Sequence, residues 1–92
     1  MEIDVSIVIL NYRTPKLVIY NVQGLVRLSM KLPHEIIVVD NASGDGSAAL
    51  FEKELVGRIP NLSLIKSKSN LGFAGGNNLG IQHAQGRYIL IL

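Results

Sequence analysis

Cysteine is missing from these 92 residues, which removes disulfides, thiolate metal sites and cysteine nucleophiles together. The absence fits a reducing compartment. Aromatic residues are scarce, three Tyr and two Phe, so aliphatic side chains must fill the core. Long apolar runs are lacking as well: Val5 to Leu10 is far too short to span a bilayer. The N-terminus opens Met-Glu-Ile-Asp, acidic where an export signal would be basic, so a cytoplasmic chain is expected. Charge of one sign is thin. The formal net charge is +2, and the nine Lys and Arg scatter from Arg13 to Arg87 without a run or stripe. That leaves no electrostatic footprint for nucleic acid. His34 and His83 stand far apart and read as surface residues, not as a metal pair. Glycine is absent from the turn Asn11-Tyr12-Arg13-Thr14-Pro15, and no G-K-[ST] occurs anywhere. Those two gaps exclude the dinucleotide fingerprint and the P-loop.

What is present is a globular composition, 48% hydrophobic and 17% charged, in a length that allows one small domain over residues 1–92. Val5 to Leu10 and Glu35 to Asp40 are nearly continuous β-branched runs, the pattern of strands buried on both faces in a parallel sheet. Thr14 as N-cap and Pro15 at the first helical position start a helix running to about Met30. Val18, Val22, Leu25 and Leu28 are spaced as its buried stripe, and Gly24 suggests a close helix–sheet contact. Asp45 or Ser47 can cap a second helix, roughly Ala48 to Val56. Asn61 to Ser67 reads as a third strand suited to a sheet edge. A third helix is expected from Gly75 or Gly76 to about Ala84, with Gly86 as its stop, and Arg87 to Leu92 begins a fourth strand. The β-α-β-α-β-α-β order implies an α/β, Rossmann-like parallel sheet with right-handed crossovers.

Ligands of such sheets bind beyond the carboxyl ends of the strands, where strand order reverses. Three polar stations fall there: Asn11-Tyr12-Arg13, Asp40-Asn41, and the segment from Asn70 to Gly80. The last packs four glycines and three asparagines into eleven residues. Glycine is costly where nothing requires it, so the segment needs either positive φ or close approach to something bulky. Its asparagines add amide donors and acceptors. Tyr12 offers a face for base stacking, or packs against the first helix. Asp40 can accept from a base N–H or a ribose hydroxyl, or caps the following turn.

The strings Val5 to Tyr12 and Glu35 to Ser43, with Asp45-Gly46-Ser47 beyond, resemble the opening of the family 2 glycosyltransferases. Asn70 to Gly80 is similar to the branch that includes rhamnosyltransferase-like enzymes. The resemblance covers essentially the whole chain. It implies the GT-A fold, whose N-terminal half binds a nucleotide-activated sugar, UDP- or dTDP-linked. By that resemblance Asn11 and Tyr12 lie against the base, and Asp40, with Asn41 beside it, bonds base or ribose. Asn70, Gly72, Phe73, Gly75, Gly76, Asn77 and Asn78 shape the pocket near sugar and phosphates. The full-length enzyme is expected to use Mg or Mn, held by an aspartate motif that would follow Leu92, and to glycosylate a cell-surface polysaccharide. It would work in the cytoplasm or at the inner face of the membrane.

No catalytic residue and no metal ligand is therefore expected within this chain. The expectation is a donor-binding fragment, about the first third of an enzyme, inactive alone and prone to self-association through the Arg87–Leu92 strand edge. The alternative is a non-catalytic α/β module, nucleotide-binding or regulatory, on the same scaffold.

Overall fold

Strands and helices alternate as β1 (Val5–Asn11), α1 (Pro15–Leu28), β2 (His34–Asp40), α2 (Ser47–Glu54), β3 (Leu62–Lys66), α3 (Gly72–His83) and β4 (Tyr88–Ile91). The structure is a computed structural model that describes residues 2–28 and 31–92. The expected end of the first helix at Met30 lies outside the described residues.

All pairings are parallel, in the order β3-β2-β1-β4. β1 is central, with Ile7 beside Ile36 and Asn11 beside Asp40 across the ladder to β2. The continuous apolar runs follow from this placement, because both faces of β1 and β2 are covered. Alternation along each strand sends neighbouring side chains to opposite faces. Ile7, Ile9, Ile36 and Val38 join Val18 and Val22 of α1 with Phe51 and Leu55 in one core. Val8, Ile37 and Val39 form the other, with Leu10, Ile65 and Leu79 packed against them. Strand order turns back between β1 and β4, which opens a crevice at the carboxyl ends.

Several local expectations shift. Leu28 is 71% exposed, not part of the buried stripe. At about 100° per residue it lies roughly 80° round the helix from Val18, off the face that meets the sheet. An added Cβ at Gly24 would meet nothing within 4 Å, so no close contact demands glycine there. Thr14 takes the N-cap position through its carbonyl, which accepts from Val18 N–H at 3.2 Å, while its hydroxyl turns to Asn11. Asp45, the first-named candidate, accepts from Ser47 N–H at 3.0 Å at the start of α2, with Gly46 in the N-cap position.

The third helix starts three to four residues earlier than expected and takes in most of the glycine-rich segment. Gly72 carries the φ of +76°. Farther along, glycine serves approach: a Cβ at Gly76 would lie 2.5 Å from Leu10 Cδ1, and one at Gly80 2.6 Å from Val8 Cγ1. The helix rests its backbone almost directly on β1 and β2. Gly86 is not the helix stop either. It lets the chain pass Ser6, whose backbone N would be 2.6 Å from an added Cβ.

Candidate functional site

The three polar stations meet at one rim above the carboxyl ends of β1 and β2. Asn11 ends β1 fully buried, beside Asp40 at the end of β2. Its Nδ2 donates to Asp40 Oδ1 at 2.9 Å and to Ser43 Oγ at 3.1 Å, and its Oδ1 accepts from Thr14 N–H at 3.2 Å. Every polar atom of that side chain is thereby committed to protein. The Ser43 hydroxyl donates to Asp40 Oδ1 at 2.6 Å. Asp40 is 6% exposed and sits in this network as the acceptor of two donors on one oxygen.

Tyr12 stands out from the rim at 40% exposure, with the Arg13 guanidinium 5.1 Å from its ring centre. Arg13 and Ala42 both adopt φ of +60°. Left-handed backbone at residues other than glycine costs of order 1–3 kcal/mol and persists only where its surroundings hold it. Here they do. Arg13 N–H donates to Ser43 Oγ at 3.0 Å, its Nε donates to the Ser43 carbonyl at 3.0 Å, and Asn41 N–H donates to the Asn11 carbonyl at 2.9 Å.

Asn41 joins the second station to the third. It is buried at 2% exposure, and its Nδ2 donates to Asn70 Oδ1 at 3.0 Å and to the Gly72 carbonyl at 3.1 Å. Its Oδ1 accepts from Leu71 N–H at 3.0 Å. Asn70 Oδ1 also accepts from Gly72 N–H at 2.9 Å. The start of α3 is thus fixed over the end of β2 by one amide side chain.

Asn70, Gly72, Phe73 and Asn78 are exposed, and Phe73 presents its ring at 74% exposure beside the rim. Gly75 is half-buried, while Gly76 and Asn77 face the interior. Asn77 Nδ2 donates back to the Phe73 carbonyl at 3.1 Å, and its buried Oδ1 has no partner among the described residues. The expected site residues therefore divide. Tyr12, Asn70, Gly72, Phe73 and Asn78 lie where a ligand can reach them, and Asp40 takes hydrogen bonds on its Oδ1 alone among the described residues. Asn11 and Asn41 hold the rim together from within.

Two residues carry no role of their own in the sequence: Ser43 enters only within the string Glu35 to Ser43, and Arg13 only within the station Asn11-Tyr12-Arg13. The signal for Ser43 was its spacing three residues after a buried acid, the reach of a hydroxyl folding back in a turn. Lys66 pairs with Glu52 at 2.6 Å on the surface. Asp45, fully exposed beside α2, has its carboxyl held below the ordinary 3.8 by the Ser47 hydroxyl first and the Ser47 N–H second.

No group of three His, Cys, Asp or Glu among the described residues is placed to hold a metal ion. Asp40 brings one carboxylate to the rim, with hydrogen bonds to its Oδ1 alone among the described residues, and a single carboxylate does not make a hard-cation site. No described helix is long and apolar enough to cross a membrane.

Comparison with solved structures places this geometry among known folds. S. aureus TarS 1-349 matches with a TM-score of 0.80 at 23% identity, over 98% of this chain and 27% of that one. The same protein in complex with UDP-GlcNAc gives 0.79 at 24% identity, over 98% and 26%. Mannosyltransferase PcManGT from Pyrobaculum calidifontis, in complex with GDP-Man and Mn2+, gives 0.80 at 22% identity, over 97% and 26%. At such identities the likeness is one of fold, the GT-A arrangement of an α/β sheet. The chain spans only about a quarter of the length of these solved chains. No curated protein sequence matches it closely. The model of one sequence family, Glycosyl transferase family 2, matches residues 6–92. With nearly its whole length inside that match, the chain belongs to glycosyl transferase family 2.

Proposed function

We propose that the rim binds a nucleoside-diphosphate sugar, and that residues 1–92 are the donor-binding part of a glycosyltransferase. The observation that carries this reading is the joining of three separate loops by buried side chains: Asn11 to Asp40 at 2.9 Å and Asn41 to Asn70 at 3.0 Å. Binding sites in open α/β sheets form at this end, beside a reversal of strand order. Tyr12 supplies a stacking face for the base, and Asp40 accepts from the base or the ribose. Asn70, Gly72, Phe73, Gly75, Gly76, Asn77 and Asn78 border the sugar and phosphates, with Asn11 and Asn41 as the buried members of the set. Family membership supports the same reading, as do the UDP, UDP-GlcNAc and GDP-Man complexes of proteins sharing the fold.

A divalent metal, Mg or Mn, would act as Lewis acid on the departing diphosphate in the complete enzyme. The described residues supply no cluster to hold it, so these 92 residues alone are proposed to bind donor without useful transfer. A glycan acceptor at the cell surface and a cytoplasmic or inner-membrane setting belong to the proposal for the whole protein.

Titration of UDP and dTDP into isotope-labelled chain tests the binding site. Resonances of Tyr12, Asp40, Asn41, Asn70 and Phe73 are expected to move together. Movement confined to residues at the opposite end of the strands, such as His34 and Asn61, refutes the assignment.

A further inference from the structure

The end of the sheet opposite the rim carries a cavity of its own. Its volume is about 200 Å³, and it opens between the last described turn of α1, the start of β2 and the turn from α2 into β3. Leu25, Ile36 and Ile59 give it an apolar lining. Ile36 is 1% exposed and belongs to the core, and Leu25 and Ile59 pack against that core. The cavity is thus a place where the core beneath α1 and α2 meets solvent.

Its walls are set before any ligand arrives. The Asn61 carbonyl accepts from Ile36 N–H at 2.9 Å, and Asn61 Nδ2 donates to the His34 carbonyl at 3.1 Å. Those two bonds fasten the turn to the start of β2. Within the turn, Ile59 N–H donates to the Leu55 carbonyl at 3.1 Å and Leu62 N–H to the Ile59 carbonyl at 3.2 Å. Preformed, mostly apolar cavities with a few polar groups are the usual form of small-molecule sites. Among the described residues that line it, Arg58 is the one full charge, and no Asp or Glu joins it. Glu54 stands 3.7 Å from Arg58 Nη1, a long contact between side chains that both reach solvent. Pairs of that kind are weak, so an incoming anion can compete.

We propose that this cavity is a second binding site, for a small carboxylic acid with an apolar body. The hydrocarbon lies against Leu25, Ile36 and Ile59, and the carboxylate meets the Arg58 guanidinium. Size and charge select that class. A cavity of roughly 150 Å³ takes benzene, so this one admits a single ring or a short branched chain and excludes a nucleotide. The guanidinium fork matches a carboxylate. A phosphate monoester, with close to two charges at neutral pH, asks for more cation than one exposed arginine supplies. The site is independent of the nucleotide reading, which concerns the other end of the strands.

The test is titration of cyclohexanecarboxylate, cyclohexanecarboxamide and acetate into the isotope-labelled 92-residue chain, followed by its resonances. The ring acid is expected to move Leu25, Ile36, Ile59 and Asn61 while Tyr12 and Asp40 stay in place. The carboxamide has the same shape without the charge. It is expected to bind roughly tenfold more weakly, the loss of a charge-assisted hydrogen bond. Acetate, without an apolar body, is expected to move none of these residues. Arg58→Gln, at an exposed position, should bring the ring acid down to the affinity of the carboxamide and leave the carboxamide unchanged. A merely structural arginine would alter both or neither. Val26→Phe, at a lining position 50% exposed, fills the cavity and should abolish binding of both ring compounds. Equal affinity for acid and carboxamide, or undiminished binding of the acid to Arg58→Gln, overturns recognition by Arg58. Acetate binding as well as the ring acid overturns the apolar body. No movement at the cavity residues with any of the three compounds overturns the site.

Discussion

Exchanging Gly24 and Gly80 for alanine, one at a time, sets the same gain against two different surroundings. Inside a helix alanine is favoured over glycine by about 1 kcal/mol. At Gly24 the new Cβ would meet nothing within 4 Å, so the full gain is expected. That raises the melting temperature by roughly 4–8 °C for a domain of this size. At Gly80 the Cβ would sit 2.6 Å from Val8 Cγ1 and 3.0 Å from Val39 Cγ2. Neither valine can withdraw, because both are 0% exposed and lie in β1 and β2, strands paired on both sides. Rotating Val8 does not help, since its Cγ2 is already 3.6 Å from the new atom and β-branched side chains have few alternatives. Overpacking of this kind costs about 1–3 kcal/mol, and a contact so short belongs at the upper end. Gly80→Ala is therefore expected to lose about 1–2 kcal/mol net, after the propensity gain. Urea unfolding followed by far-ultraviolet circular dichroism measures both variants, with unchanged slope and opposite shifts in midpoint. The Val8→Ala, Gly80→Ala pair should cost less than the sum of its members, because one methyl fills the space another leaves. Equal stabilisation by Gly24→Ala and Gly80→Ala would refute the seating of α3 directly on the sheet.

Two further outcomes follow from the surface. Asp45 has a folded-state pKa below its unfolded value, so its contribution to stability is present above the ordinary 3.8 and is lost as pH falls through the lowered value. Between about pH 5 and pH 2 the wild-type melting temperature should fall more steeply than that of Asp45→Asn; matching slopes would deny the Ser47 bond any linkage. β4 exposes Tyr88, Ile89, Leu90 and Ile91 and pairs only with β1 among the described residues. Open apolar edges invite another strand. Light scattering is expected to show mass rising with concentration in the wild type and not in Ile89→Lys. A wild-type monomer at every concentration counts against association through this edge.

The sheet was legible because its signal is the crudest the chain carries. Two six-residue runs, Val5 to Leu10 followed by Asn11 and Glu35 to Asp40, admit little but strands buried on both faces, and the helices between them dictate parallel pairing. Helix ends were harder. The expected third helix leaves out Gly72 to Ala74 because glycine is a poor helix former, yet the helix in this segment is justified by contacts with Leu10, Asn41, Val8 and Val39. Those partners lie about thirty or more positions away in sequence, where no local pattern reaches. Gly24 failed in the opposite sense: the same residue type, in a helix with better local signals, touches nothing.

The candidate site divides along the same line. Residue type at a strand end was enough to mark Asp40, Tyr12 and Asn41 as worth attention. It could not say which polar side chains point out and which point in, because Asn11 and Asn41 differ from Asn70 only in burial. At Asn41 burial is set by α3, and α3 approaches only because Gly76 and Gly80 lack a side chain. The glycines that seem to belong to packing thus decide where Asn41 can reach Asn70 and Gly72. A Cβ at Gly76 would press on Leu10 Cδ1 at 2.5 Å and on Asn41 Nδ2 at 3.0 Å, the very amide that ties α3 to β2. Core and rim are for that reason one structure here. A change that lifts the helix by a few tenths of an ångström must loosen the third station before it unfolds the domain, since buried hydrogen bonds tolerate less displacement than apolar contacts do.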